Sequence, residues 1–153
     1  MKKRTLTIDH KACWGCKTCE VACKQEMKSP DGVKLISVLE EWTRVSDGKS
    51  DFCFHVRMCR HCDEPPCVEA CPEGAISKRP DGIVVMDDDR CVGCKECMEA
   101  CPYDAIDYDM SKGIAQKCNL CHHRVDEGLL PACADNVCLA HCISFSESDI
   151  VNL

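Results

Sequence analysis

Four runs of cysteine carry whatever chemistry this chain performs. The first is Cys13-x2-Cys16-x2-Cys19-x3-Cys23, and the third, Cys91-x2-Cys94-x2-Cys97-x3-Cys101, is followed by Pro102. The second, Cys59-x2-Cys62-x4-Cys67-x3-Cys71, is wider by two residues and is followed by Pro72. The fourth opens as Cys118-x2-Cys121 and runs eleven residues to Cys133; Cys138 and Cys142 both follow. A single C-x2-C is ambiguous, because zinc ribbons and thiol redox motifs share it. The x2, x2, x3 order is more specific. Three cysteines at x2 intervals let a loop wrap one iron–sulfur cube, and the fourth starts a short helix and faces a second cube. The repeat therefore predicts four 4Fe-4S clusters.

Those loops need elements to hold them. After Cys71 the chain reads Pro72-Glu73-Gly74-Ala75-Ile76, then a turn at Arg79-Pro80-Asp81-Gly82, then Ile83-Val84-Val85-Met86. That pattern predicts a β-hairpin leading into Cys91, and Pro102-Tyr103-Asp104-Ala105-Ile106 repeats the exit after Cys101. Units two and three thus form an inner lobe, 53–111. Units one and four are left to pair as an outer lobe, 1–30 with 112–153, with Thr5–Ile8 and Ile143–Phe145 as its closing strands. Residues 31–52 are an insertion that offers a docking surface through Val33, Leu35, Ile36, Val38, Leu39 and Trp42; its plainer role is to cover the clusters. The fold class expected is α+β: two nested lobes of short hairpins and short helices in one compact unit, 1–153.

Four clusters need sixteen thiolates, and the chain has eighteen cysteines. Cys53 lies outside every unit, in the alternating stretch Phe52–Val56, and reads as a buried structural thiol. The other spare comes from unit four. Cys71 and Cys101 are each followed by alanine four residues later and isoleucine five later; laid on that register, Cys138 is the fourth ligand and Cys142 takes the alanine position. The competing alignment uses the x3 spacing of Cys138 and Cys142 and makes Cys142 the last ligand.

The bulk composition agrees. About a third of the chain is apolar once the cysteines are set aside, and three Phe, two Trp and two Tyr are its only aromatics. That is lean for a core of this size, and clusters would fill the interior. A net charge of −7 lacks the basic footprint that nucleic acid demands. The N-terminal stretch is too short and polar for a signal core, and no run of eighteen apolar residues exists, so a cytoplasmic protein without membrane spans is expected. A reducing compartment also favours thiolates as ligands over disulfides.

The segments Cys59-Arg60-His61-Cys62-Asp63-Glu64-Pro65-Pro66-Cys67, Cys91-Val92-Gly93-Cys94, Cys101-Pro102-Tyr103 and Lys117-Cys118-Asn119-Leu120-Cys121, with Gly128 and Pro131-Ala132-Cys133, carry a resemblance. From Ile8 to Phe145 the chain resembles the four-cluster, bacterial-ferredoxin-like iron–sulfur subunits of molybdenum and tungsten oxidoreductases, which accompany dimethyl sulfoxide reductase, formate dehydrogenase and related enzymes. The resemblance implies one cluster on Cys13, Cys16, Cys19 and Cys138, and a neighbour on Cys118, Cys121, Cys133 and Cys23. It further implies one on Cys59, Cys62, Cys67 and Cys101, and one on Cys91, Cys94, Cys97 and Cys71. Unit four departs from the family in lacking a proline after its last cysteine, where Leu139-Ala140-His141 stands. The short C-terminus is similar to that of subunits paired with cytoplasmic tungsten enzymes that oxidise aldehydes.

The function expected is single-electron relay between a large catalytic oxidoreductase subunit, holding molybdenum or tungsten, and a second redox subunit or acceptor. A freely diffusing polyferredoxin is the alternative, and a zinc scaffold the third reading. No nucleophile–base pair, phosphate loop or dinucleotide fingerprint is present, so no catalytic centre of its own is expected. His61 is at most a hydrogen-bonding neighbour of a cluster, and His122, His123 and His141 flank unit four. Lys17, Lys95 and Lys117 sit beside ligand cysteines, where they either raise local potential or are simply solvated. Trp14 and Trp42 are expected to pack against clusters.

Overall fold

The structure, a computed structural model, describes residues 2–44 and 50–149. Residues 45–49, inside the 31–52 insertion, lie outside them. Among the described residues every sheet has two strands, antiparallel and short, and every α-helix has ten residues or fewer, giving an α+β architecture. The order is β1 (Lys2–Ile8), a 3-10 turn (His10–Ala12), α1 (Thr18–Met27), β2 (Ile36–Arg44), β3 (Ser50–Met58), α2 (Pro66–Glu69), β4 (Ile76–Lys78), β5 (Val84–Met86), α3 (Glu96–Ala100), β6 (Ile106–Asp109), β7 (Ile114–Lys117), α4 (His122–Val125) and β8 (Ile143–Asp149).

The turn chemistry read from Arg79–Gly82 makes the β4–β5 hairpin, in register Ile76 to Met86 and Lys78 to Val84. Asp81 accepts the N–H of Ile83 at 3.2 Å, and Gly82 sits at φ +88, a conformation that costs glycine little. The second exit makes β6–β7, Ile106 opposite Lys117. The two chain ends meet as well: β1 pairs with β8, Ile8 opposite Ile143 and Leu6 opposite Phe145. Non-consecutive pairing of the first and last strands brings the loop of unit one beside that of unit four.

Two apolar cores result. Val84, Ile76, Ile106 and Ala115 pack around Cys67 and Cys97. Val33, Leu35, Ile36, Val38, Val56, Met58 and Ile143 pack around Cys19, Cys23, Cys133, Cys138 and Cys142. This second set corrects the reading of the insertion. Of the six apolar residues singled out there, Val33, Leu35, Ile36 and Val38 are core, while Leu39 and Trp42 remain exposed. Glu20 of α1 explains the difference, since it accepts the N–H of Val38 at 2.6 Å and seats the base of the β2–β3 ribbon on the helix. The distal ribbon has no second layer, so both its faces meet solvent. Cys53, opposite Glu41 there, is exposed and not the buried thiol its apolar neighbours suggested. Trp14 and Trp42 are likewise exposed, at 68% and 69%.

Candidate metal centres

Each C-x2-C turn is built on the same backbone. The residue before its second cysteine has positive φ in all four units: Gly15 (+70), His61 (+47), Gly93 (+72) and Leu120 (+55). A left-handed residue costs an L side chain about 1–2 kcal/mol, and strain of this kind persists where a site over-determines it. Its effect is to turn N–H groups inward, as in the backbone nests that hold anions. His61 N–H points at the Cys59 sulfur and Leu120 N–H at the Cys118 sulfur, both at 3.4 Å. The last cysteines are served the same way: Ala75 N–H meets Cys71 at 3.3 Å and Ala105 N–H meets Cys101 at 3.4 Å.

The third and fourth cysteines of unit one, Cys19 and Cys23, lie on α1 four residues apart and both are buried. Yet they face different groups. Burial pushes the Cys19 thiol up to about 11, with Cys138 and Cys13 nearby adding to it. Burial pushes Cys23 up to about 12, and its leading thiol neighbour is Cys121. Cys133, raised still further by burial, has Cys121, Cys23 and Cys19 around it. Cys16 accepts hydrogen bonds from Thr18 and from the N–H of Leu139, which hold it below an ordinary thiol despite partial burial. Cys13, Cys138 and Cys142 thus lie around Cys19, a first nest, and Cys118, Cys121 and Cys133 lie around Cys23, a second.

In units two and three the last cysteine of each lies near thiols of the other. Burial raises Cys62 and Cys67, and Cys59 and Cys101 lie beside both. Cys97 is pushed up to about 11 by burial, then by Cys91, Cys94, Cys67 and Cys71. A hollow lined by Cys71, Cys91, Cys94 and Cys97, with Ile76 and Met86 behind them, marks the fourth nest. Three pairs of thiols near enough to act on each other's charge order the nests in a row: Cys19 with Cys133, Cys118 with Cys59, and Cys67 with Cys97.

Cys138 and Cys142 lie in the first nest with their sulfurs 3.5 Å apart. Burial raises the Cys138 thiol, but hydrogen bonds from the Cys142 N–H and side chain, and from Ile143 and Ala140, outweigh it and hold the group low. Cys142 is pushed up by burial and by that same bond to Cys138.

The donor set fits iron–sulfur clusters. All eighteen thiols are free. Among the described residues no three Cys, His, Asp or Glu side chains converge on a single-ion site; tetrahedral zinc at about 2.3 Å would draw its thiolates to about 3.8 Å of one another. His61 supplies a second observation. Its Nδ1 accepts the Val84 N–H at 3.0 Å, so the ring hydrogen is on Nε2, which is buried and finds no acceptor in the protein. Burial lowers the imidazole to about 3, so it stays a neutral donor, and a sulfur-rich group at Cys59 and Cys62 would take that hydrogen bond.

Of the other groups singled out, Lys17 and Lys95 are exposed but Lys117 is buried, at 5%. His123 pairs with Glu26 at 2.8 Å, His122 lies 4.0 Å from Asp126, and His141 is exposed. Leucine at 120 does not by itself announce a left-handed residue; its place in the C-x2-C register beside Gly15 and Gly93 was the available signal.

Cysteine nests on short hairpins, arranged in a row, define a multi-cluster iron–sulfur protein of ferredoxin type. The chain belongs to the 4Fe-4S dicluster domain family, which matches residues 50–148 and, in a second form of the same domain, residues 12–76. It accordingly carries four 4Fe-4S clusters. It is 36% identical over 157 residues to a chain of the anaerobic dimethyl sulfoxide reductase of Haemophilus influenzae, covering 97% of this chain and 76% of that one. The corresponding chain of the same reductase from Escherichia coli K12 is 38% identical over 149 residues, covering 93% and 72%. One subunit of the tetrathionate reductase of Salmonella typhimurium is 42% identical over 133 residues, covering 86% of this chain. The chain spans about half the length of that last relative, 53%.

Proposed function

We propose that this chain is the electron-transfer subunit of a reductase complex and relays single electrons along four clusters in a row. The carrying observation is the sequence of neighbouring thiols, Cys19 to Cys133, Cys118 to Cys59 and Cys67 to Cys97. When bound, 4Fe-4S clusters supply one-electron redox capacity at a potential set by charge, hydrogen bonds and exposure. The protein's part is to hold them: Cys13, Cys16, Cys19 and Cys138 one, Cys118, Cys121, Cys133 and Cys23 the next, Cys59, Cys62, Cys67 and Cys101 the third, Cys91, Cys94, Cys97 and Cys71 the fourth. Crossed fourth ligands make two nested lobes, the outer closed by β1 with β8 and the inner by its two hairpins. The separate apolar cores support that division.

The end nests each present an exposed cysteine, Cys16 and Cys94, which suits exchange with partners at both ends. The relatives' names speak for a catalytic reductase subunit at one end; a molybdenum or tungsten cofactor there follows from the family resemblance, and a second redox subunit or acceptor stands at the other. Eighteen reduced thiols suit a cytoplasmic setting, and among the described residues no helix is long and apolar enough to cross a membrane.

Anaerobic purification tests the reading. Four iron and four acid-labile sulfide per nest, with broad thiolate-to-iron absorbance, are expected, together with a large subunit recovered in native pull-down. A colourless, zinc-loaded chain overturns it. Recovery of the chain alone at physiological concentration, with electron exchange intact, favours the freely diffusing carrier.

A further inference from the structure

Lys117 is the one lysine of the three beside ligand cysteines that the fold takes out of water, leaving it 5% exposed. It ends β7, opposite Ile106, and its side chain leaves its own hairpin to reach the other one. Nζ donates to the carbonyl of Val84 on β5 and, at 2.8 Å, to the carbonyl of Cys118. Among the described residues no carboxylate lies within ion-pair distance of it, whereas Arg4, Arg57, Arg79 and Arg124 all have one. A buried ammonium with only carbonyl dipoles around it is strongly disfavoured unless a counter-charge is near. The anionic groups within its reach are thiolates. Its acceptor Val84 gives its own N–H to Nδ1 of His61, between Cys59 and Cys62, which places it against the third nest, and its bond to the Cys118 carbonyl places it against the second. Those are the two nests that meet at Cys118 and Cys59. Lys17 and Lys95, beside the first and fourth nests, stay in solvent, and Lys95 lies over the Tyr108 ring at 4.1 Å.

We propose that Lys117 is the shared counter-cation of the two middle nests and raises the reduction potential of the clusters they hold. The proposal rests on the ligand sets given above. A fixed positive charge near a cluster favours the more negative, reduced state, and low local dielectric makes the effect larger than at the surface. Placed between two clusters, one ammonium acts on both, and the middle of the row becomes easier to reduce than it would be without it.

The test compares the full chain with Lys117→Met, Lys117→Gln and Lys117→Arg, and with Lys95→Met as a surface control, each loaded anaerobically. Iron and sulfide counts come first. An unaltered chain holding fewer than four clusters overturns the ligand sets, and the proposal with them, before any potential is measured. Potentiometric titration followed by electron paramagnetic resonance then reads each cluster. The expected result is that Met and Gln each shift two of the four midpoints downward by at least a tenfold change in the reduction equilibrium, 59 mV for one electron. Arg should hold those two near their original values, and Lys95→Met should leave them in place. Midpoints that stay put in both neutral variants overturn the proposal, as does an equal shift of all four. Loading that fails in both neutral variants but succeeds with Arg also overturns it, and leaves Lys117 a structural pin between hairpins.

Discussion

The sulfurs of Cys138 and Cys142 stand 3.5 Å apart, both of them buried. At Cys71 and Cys101 the N–H four residues downstream serves the sulfur; on that register the proposed last ligand is Cys138, and Cys142 takes the alanine position.

If that is the division of labour, Cys142→Ala should keep all four clusters. Cys138→Ala should lose up to a quarter of the bound iron, or hold it only through Cys142. The double variant should lose that quarter outright. Iron per chain on anaerobically loaded protein decides among these, and loss of iron in Cys142→Ala alone would reverse the assignment.

Gly93 and Gly15 occupy equivalent left-handed positions but face different neighbours. A Cβ at Gly93 would lie 2.1 Å from the backbone oxygen of Gly113, which cannot swing aside. A Cβ at Gly15 would lie 2.3 Å from the Phe54 ring, a side chain that can move. Gly93→Ala should cost roughly 3 kcal/mol, combining left-handed strain with overpacking, and release the iron of the fourth nest. Gly15→Ala should be milder, and milder still with Phe54→Ala. Urea midpoints and iron content measure both.

Arg4 of β1 ties the outer strands to the inner hairpin. It reaches Asp81 at 3.1 Å, Glu147 at 3.2 Å and Asp126, while Arg79 holds Asp126 at 2.8 Å and Asp81 at 2.9 Å. Arg4→Met should cost about 2 kcal/mol, because it leaves the nearly buried Asp81 with one cation instead of two. Hydrogen bonds from Arg79 and then Arg4 hold the Asp126 carboxyl far below the usual range. A carboxylate depressed in the folded state stabilises above its unfolded pKa, about 3.9, and that contribution fades as pH falls toward the folded value. The deficit of Asp126→Asn should therefore be constant from neutral pH to about 5 and shrink below about 4. Urea midpoints followed by far-ultraviolet circular dichroism on the loaded chain would show it; a deficit that grows on acidification has the wrong sign.

Cys53 is exposed and lies on the distal β2–β3 ribbon, outside every nest. Cys53→Ser should leave the iron content unchanged. In the loaded chain a maleimide should label Cys53 ahead of the sixteen ligands, by mass spectrometry of the digested adduct.

The nests were legible because each C-x2-C is a local loop whose spacing alone fixes what it can wrap. The hairpins were legible too, since Arg79–Gly82 carries its own turn chemistry and Ile83–Met86 its own strand pattern. What the sequence hid was layering. Phe52–Val56 alternates like a half-buried strand, but only a second layer makes one face interior, and that layer covers Val56 and not Cys53. Val33, Leu35, Ile36 and Val38 looked like a free apolar surface for the same reason: nothing local announces that Glu20 will seat them on α1. Lys117 reads as solvated until two hairpins, distant in sequence, close over it.

The pairing of β1 with β8 has a consequence for biogenesis. On the ligand sets proposed above, the first nest draws on Cys13 and Cys138 and the second on Cys23 and Cys118, so both need segments about a hundred residues apart. A nascent chain emerging from the ribosome N-terminus first can assemble the inner pair from residues 59–101 while the outer pair still lacks half its thiols. Until Cys118 to Cys138 emerge, Cys13 to Cys23 are unpaired thiols without their iron, and the cell's cluster-loading machinery must reach them before oxidants do.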